Sequence, residues 1–201
     1  MSYRSIIVVD DFYDNPDEVR ELALSTKYST TKSKHFTRSS SFFTDDFKKI
    51  FEDILKIKIK DDSNWGQKRR VEENVVFEGS QFNGTFYKYS PKLKTLPNHI
   101  HHDSYDYVAT VMLSPECPSE CGTSFWEEIT TQKSFTSTLY SRGNPSDPII
   151  KSIDPSLWRK TDEIEYKYNR LLLYSGRLFH SINMTTEHER INQLFCFNKE
   201  S

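Results

Sequence analysis

The side chains best suited to bind a metal or an anion are gathered in two short segments. One is Pro97-Asn98-His99-Ile100-His101-His102-Asp103, and the other is Arg177-Leu178-Phe179-His180, with Arg190 ten residues further on. In an extended strand, side chains at i and i+2 share a face, so His101 and Asp103 can reach one ion while His102 points away, and His99, on the same face, stays open as a ligand or as a lining residue of the pocket. His180 lies 77 residues beyond Asp103 and closes the set only if the fold brings two strands together. Two imidazoles and one carboxylate on a single triangular face leave coordination positions free, a donor set that suits Fe(II) and the binding of a second reactant. Taken alone, His-x-Asp is a common chance pattern, and its weight comes from what surrounds it.

Those surroundings resemble a known family. Tyr89-Ser90-Pro91 precedes His101-His102-Asp103. Cys121-Gly122-Thr123-Ser124-Phe125 is similar to a Gly-Gly-x-Thr-x-Phe strand, with Cys for the first Gly, and His180 with Arg190 follows in order. Over Phe86 to Phe197, a little over half the chain, this ordered set resembles the catalytic core of the Fe(II)/2-oxoglutarate-dependent dioxygenases, closest to the prolyl-hydroxylase-like branch. The resemblance implies that His101, Asp103 and His180 hold Fe(II) and that Arg190 pairs with the distal carboxylate of 2-oxoglutarate. Tyr89 then helps to hold that cosubstrate, and Asn192 adds a hydrogen bond. It implies a reaction in which O2 and 2-oxoglutarate are consumed, succinate and CO2 are released, and a C–H bond of the substrate is hydroxylated. Halogenating relatives lack the carboxylate ligand, so Asp103 points to hydroxylation. Met112 and Cys196 stand where the family often has aromatic residues. The substrate is expected to be a free amino acid, a peptidyl residue or a small metabolite, with Trp126 and the loop Tyr140–Asn144 at the mouth of the pocket.

Two other readings of the same residues stay open. A cupin-like metalloprotein would use the triad without 2-oxoglutarate and would have little need of Arg190. A non-catalytic β-sandwich binding module would use the histidines structurally or for Zn(II).

Composition narrows the class. At 201 residues the chain is expected to be one domain, with a helical N-terminal part over 1–70 and a β core over 71–201. Hydrophobic residues make up only 35%, but 14 Phe and 11 Tyr bury large areas per position, so a core can be built from few residues. A net charge of −2 argues against a nucleic-acid protein that relies on net positive charge, and Lys68-Arg69-Arg70 reads as a solvated loop. Three cysteines, Cys117, Cys121 and Cys196, form no disulfide framework. With no signal-peptide pattern and no apolar run of membrane length, a soluble protein of the cytoplasm is expected, with no membrane partner.

The elements follow from patterning. Ser5 to Val9 reads as a strand. Asn15-Pro16-Asp17-Glu18 reads as a capped helix start, with Val19, Leu22, Ala23 and Thr26 as its apolar face. The acidic residues Asp10, Asp11 and Asp14 read as capping and solvation. Residues 25 to 41 read as a loop that can lead into a strand near Phe42-Phe43. Phe47, Ile50, Phe51, Ile54 and Leu55 form the stripe of a second helix. From residue 71 on, short strands follow: Thr85–Tyr89, His99–Asp103, Tyr107–Leu113, Thr123–Ile129, Arg170–Tyr174, Phe179–Asn183 and Ile191–Phe197. Helices followed by many strands give an α+β, mainly β chain. The resemblance implies the specific form: a double-stranded β-helix, or jelly roll, with N-terminal helices buttressing the larger sheet.

Overall fold

The computed structural model describes residues 6–30, 36–42, 45–61, 83–89, 100–135, 150–152, 155–183 and 187–200. The N-terminal part supplies β1 (Ile6–Val9), α1 (Pro16–Ser25), β2 (Ser29–Thr30), β3 (Thr37–Ser41) and α2 (Asp45–Leu55). The remainder supplies β4 (Thr85–Tyr89), β5 (Ile100–His101), β6 (Tyr107–Met112), β7 (Thr123–Glu128), β8 (Ile150–Ser152), β9 (Trp158–Ile164), β10 (Leu171–Ser175), β11 (His180–Ile182) and β12 (Arg190–Phe197). Among the described residues the strands form a seven-stranded sheet, ordered β1-β10-β6-β12-β4-β3-β2, and a five-stranded sheet, ordered β8-β5-β11-β7-β9. From β4 to β7, and again from β9 to β12, successive strands alternate between the two sheets. That winding is the double-stranded β-helix, or jelly roll, and the fold is mainly β.

The larger sheet is apolar on both faces, and the period-2 alternation of its strands sorts the side chains into two cores. Ala109, Val111, Leu113, Leu171, Leu173, Ile191, Phe195 and Phe197 face outward and pack with Ala23 of α1 and Phe51 of α2. Val108, Met112, Leu172, Tyr174 and Cys196 face inward, toward Phe125, Tyr166 and Leu178. The helices therefore cover one face, as the resemblance implied, and the site lies against the other.

The helix faces differ in detail from expectation. On α1, Val19 and Ala23 pack inward, whereas Leu22 is exposed. Asn15 makes no side-chain cap bond, so Pro16 and the acidic first turn, Asp17 and Glu18, carry the start of the helix. On α2, Phe47, Phe51, Ile54 and Leu55 pack on the sheet, while Ile50 sits at the exposed edge of the stripe.

The segment 25–41 is not a loop throughout, because β2 and β3 extend the larger sheet beyond β4. Its Ser/Thr-rich composition hid the strand. Partly exposed edge strands need little apolar patterning, and the Ser39 hydroxyl accepts the Phe86 amide at 2.9 Å. The strand β9 was likewise missed: its sequence Trp-Arg-Lys-Thr-Asp-Glu-Ile is largely solvated at the edge of the smaller sheet. Residues 68–70, His99 and the loop 140–144 lie outside the described residues. Among the described residues, no helix is long and apolar enough to cross a membrane.

Asp10 closes the end of β1. Its carboxylate accepts hydrogen bonds from Arg170 at 2.6 and 3.0 Å and from Lys167 at 2.9 Å. The hydrogen bond from Arg170, then that from Lys167, holds the carboxyl well below the usual range. A depressed pKa contributes stability above the unfolded value of about 4 and loses it as pH falls through the folded value. Asp10→Asn is therefore expected to lower the melting temperature at pH 7 by about 2–4 °C, as befits a largely exposed pair. The deficit should shrink steadily as pH falls below about 4 toward the folded value, which melting curves at a series of pH values would check.

Candidate metal centre

His101 ends β5 and stands opposite His180 of β11, so the antiparallel register brings the two distant segments together. Their rings lie 4.3 Å apart between centroids. Asp103 follows two residues later on the same side. Its amide donates to the Gly176 carbonyl at 2.7 Å, which ties the residue to the turn between β10 and β11. The ligand atoms of His101, Asp103 and His180 all lie within 4.8 Å of one another. His102, one position out of phase, turns to the other face and is buried beside Phe179, at 6.0 Å between ring centroids.

The protonation of the cluster is legible from its hydrogen bonds. His180 Nδ1 lies 2.8 Å from the Leu178 carbonyl, an acceptor, so Nδ1 carries the proton and Nε2 presents a lone pair. That Nε2 lies 3.3 Å from Asp103 Oδ2. A lone pair facing a carboxylate oxygen at this distance calls for a cation between them, a proton or a metal ion. Burial pushes the Asp103 carboxyl up, but where a proton fills that place the hydrogen bond and charge of His180, with the charges of His101 and His102, outweigh it, and its pKa lies below the usual range. The donor set therefore fits a divalent transition metal: two neutral nitrogens and one anionic oxygen on one side.

Gly176 sits against this cluster. A Cβ there would meet the Tyr105 carbonyl oxygen at 2.3 Å and the Asp103 Cβ at 3.4 Å. Gly176→Ala is therefore expected to displace Asp103 and to weaken metal binding by about 10- to 100-fold, the range of an outer-shell change. Isothermal titration with Co(II) would measure it, and an unchanged affinity would show that Asp103 is not positioned by this turn.

Arg190 opens β12 and is fully buried. Its Nη1 donates to the carbonyls of Cys121, Gly122 and Asn183 at 2.6, 3.1 and 3.2 Å. With its amide oriented to satisfy both ends, Asn192 accepts from Arg190 Nε and Nη2 at 3.1 and 3.0 Å. The Tyr166 and Tyr89 rings lie 5.1 and 5.9 Å from the guanidinium carbon. Among the described residues no carboxylate lies within ion-pair distance of Arg190, so a buried cation is held by carbonyls, an amide and aromatic faces. Gly122 is required where Arg190 meets β7, because a Cβ would fall 1.9 Å from the Ile164 carbonyl oxygen.

Tyr89 pairs in register with Arg190 and joins the two halves of the site. Burial raises its phenol to about 12, while the Arg190 charge lowers it and the Asp103 charge raises it, so this side chain feels both the triad and the guanidinium. Tyr174 of β10 was not anticipated. Its ring lies 4.9 Å from that of His180, and burial, then Asp103, pushes its phenol well above the usual range. Nothing in Leu171-Leu172-Leu173-Tyr174, apolar at every position, marks which residues face inward. Tyr166, on the connection from β9 to β10, was also missed. It walls Arg190, and its hydroxyl accepts from the Ser114 amide at 3.0 Å and donates to the Ile191 carbonyl at 3.1 Å.

Trp126 departs from expectation. It is Phe125 that pairs with His180, so Trp126 turns outward, donates to the Ser181 hydroxyl at 2.9 Å and packs with Ile100, Trp158 and Phe179. The strand phase places it on the face opposite the cluster.

Fold and site together define a jelly-roll protein with a His-x-Asp…His cluster and a buried arginine in its interior. The chain belongs to DUF6445, a family of unknown function, whose profile matches residues 2–193. No curated protein matches it. Among solved structures it is similar to HygX from Streptomyces hygroscopicus with nickel and 2-oxoglutarate bound, with a TM-score of 0.52 and 14% identity over 96% of this chain and 82% of that one. It is also similar to a Pseudomonas putida prolyl-4-hydroxylase, with a TM-score of 0.46 and 10% identity over 98% and 94% of the two chains. A third is the α-ketoglutarate-dependent epimerase SnoN from nogalamycin biosynthesis, with a TM-score of 0.46 and 12% identity over 96% and 78%. At such identities the likeness to HygX is one of fold.

Proposed function

We propose that this chain is an Fe(II)- and 2-oxoglutarate-dependent oxygenase of the prolyl-hydroxylase-like kind. It would hydroxylate a C–H bond of an amino acid, a peptidyl residue or a small metabolite. The reading takes residues 1–201 as one oxygenase domain of the cytoplasm. The observation that carries it is the pairing of two features in one interior: a cluster of His101, Asp103 and His180, and a fully buried Arg190 with no carboxylate partner among the described residues. A buried guanidinium calls for an anion, and the second Nη2 N–H, which the carbonyls and Asn192 leave over, can meet a carboxylate oxygen.

In this reading His101, Asp103 and His180 hold the iron, with Leu178 fixing the His180 tautomer. Asp103 supplies the anionic ligand, which leaves no place for halide and favours hydroxylation. Arg190, oriented by three carbonyls and Asn192, receives the distal carboxylate of 2-oxoglutarate. Tyr89, next to Arg190 in register, orients the same molecule. Tyr166, Phe125 and Leu172 exclude water from around it. When bound, iron and 2-oxoglutarate supply the O2-dependent chemistry that yields succinate and CO2 and oxidises the substrate.

The test is an anaerobic titration of metal-free protein with Fe(II) and then 2-oxoglutarate, followed by visible absorption. A weak charge-transfer band that depends on both additions is the expected result. Iron binding without the band removes 2-oxoglutarate from the reading and leaves a cupin-like metalloprotein. Absence of iron binding removes the triad, and a non-catalytic binding module remains.

A further inference from the structure

The inner face of the larger sheet continues past the site onto β3, and the register fixes what stands there. Arg190 pairs with Tyr89 and Asn192 with Tyr87 between β12 and β4. Arg38 pairs with Tyr87, and Thr37 with Lys88, between β4 and β3. Residues paired across strands share a face, so one row runs Arg190, Tyr89, Phe36 and the next runs Asn192, Tyr87, Arg38. The rings agree with this register: Phe36 lies 4.9 Å from Tyr87 and 5.6 Å from Tyr89, and Tyr87 lies 6.5 Å from Tyr89. Arg38 hydrogen-bonds to the Tyr87 side chain.

Neighbouring strands are about 4.8 Å apart, so Arg38 stands about 10 Å across the sheet from the row of Arg190. Tyr89, which feels Asp103, lies between them. Two guanidiniums thus flank one aromatic stretch beside the triad. Arg190 is buried and backed by carbonyls, whereas Arg38 is half-buried near the rim of the sheet. The buried arginine suits a cosubstrate common to every turnover, and the rim arginine suits what enters from outside. Phe36 and Tyr87 give the entering molecule ring faces beside the charge.

We propose that Arg38, with Phe36 and Tyr87, forms the substrate subsite, and that the primary substrate is a small carboxylic acid whose carboxylate pairs with Arg38 and whose carbon skeleton lies on these rings. The inference rests on the oxygenase reading for where the substrate must sit. It narrows the substrate to free acids, amino acids included, and away from an internal peptidyl residue, which has no carboxylate of its own to offer beyond its side chain.

The experiment uses the full chain loaded with Zn(II), a diamagnetic stand-in for iron, and saturating 2-oxoglutarate. A library of small aromatic and aliphatic carboxylic acids, each beside its primary amide, is screened by saturation-transfer NMR. Acids are expected to bind about tenfold or more tighter than their amides, the scale of a charged hydrogen bond. Arg38→Gln should erase that preference while leaving 2-oxoglutarate affinity unchanged. Arg38→Lys should keep part of the preference and serves if the first variant does not fold. The proposal is overturned if no acid binds, if acids and amides bind alike, or if the preference survives Arg38→Gln. A chain that fails to bind 2-oxoglutarate yet loses acid preference in Arg38→Gln would sink the oxygenase reading and leave the carboxylate subsite standing.

Discussion

Replacing Arg190 with Met is expected to weaken 2-oxoglutarate binding by about 100-fold or more, and to lower stability in the absence of ligand. The first effect follows from removing one side of a desolvated charge pair, which costs about 2–5 kcal/mol in binding. The second follows from the carbonyls of Cys121, Gly122 and Asn183, which Arg190 Nη1 satisfies in the buried interior. Losing a shared donor from buried acceptors costs about 1–3 kcal/mol. Arg190→Lys separates the effects: it keeps a charge but cannot bridge three carbonyls and an amide from one planar group. Calorimetric titration with 2-oxoglutarate and a thermal melt of each variant would check both. A Met variant that melts early yet binds 2-oxoglutarate as before would show that Arg190 is a strut between β12 and the segment leading into β7 and nothing more.

Asp103→Ala is expected to reduce Fe(II) affinity by more than about 100-fold, beyond the range of outer-shell changes. Two neutral imidazoles would remain, with the ligand that lowers the charge of the centre removed. His180 would keep its orientation through Leu178, so the histidine geometry should survive and the loss would belong to the carboxylate. Anaerobic Fe(II) titration with a competing chelator measures it, beside a circular-dichroism spectrum to verify the fold. Affinity should also fall in acid, because metal ligands must be deprotonated to bind. An Asp103→Ala protein that binds iron as tightly as the native chain would remove Asp103 from the centre.

Much of this site was legible before any tertiary contact was known, because the relevant signals are local. The i, i+2 phase of His101 and Asp103, with His102 opposed, follows from strand geometry. The strand Thr85–Tyr89 and the stripe on α2 likewise follow from patterns a few residues long. Signals failed where a strand is solvated or uniformly apolar. The strands β2, β3 and β9 are polar, edge-like segments whose pairing partners decide their state. On β10 four apolar residues carry no phase, so Tyr174 could not be assigned to the interior. Trp126 stands away from the pocket mouth because Phe125, its neighbour on the strand, takes the phase that pairs with His180.

Residue types and their order along the chain already give the chemistry on offer: which side chains can ligate a metal and which can hold a carboxylate. Tertiary pairing set His101 opposite His180 across a single antiparallel register and buried Arg190 fully against the carbonyls of Cys121 and Gly122, just before β7. It also decided that Phe36 and Arg38 of a Ser/Thr-rich segment stand on the same inner face. The physical reason is that residue type and strand phase are encoded within a few neighbours. Pairing between segments far apart in the chain is selected by the whole core, through the burial of both faces of one sheet at once.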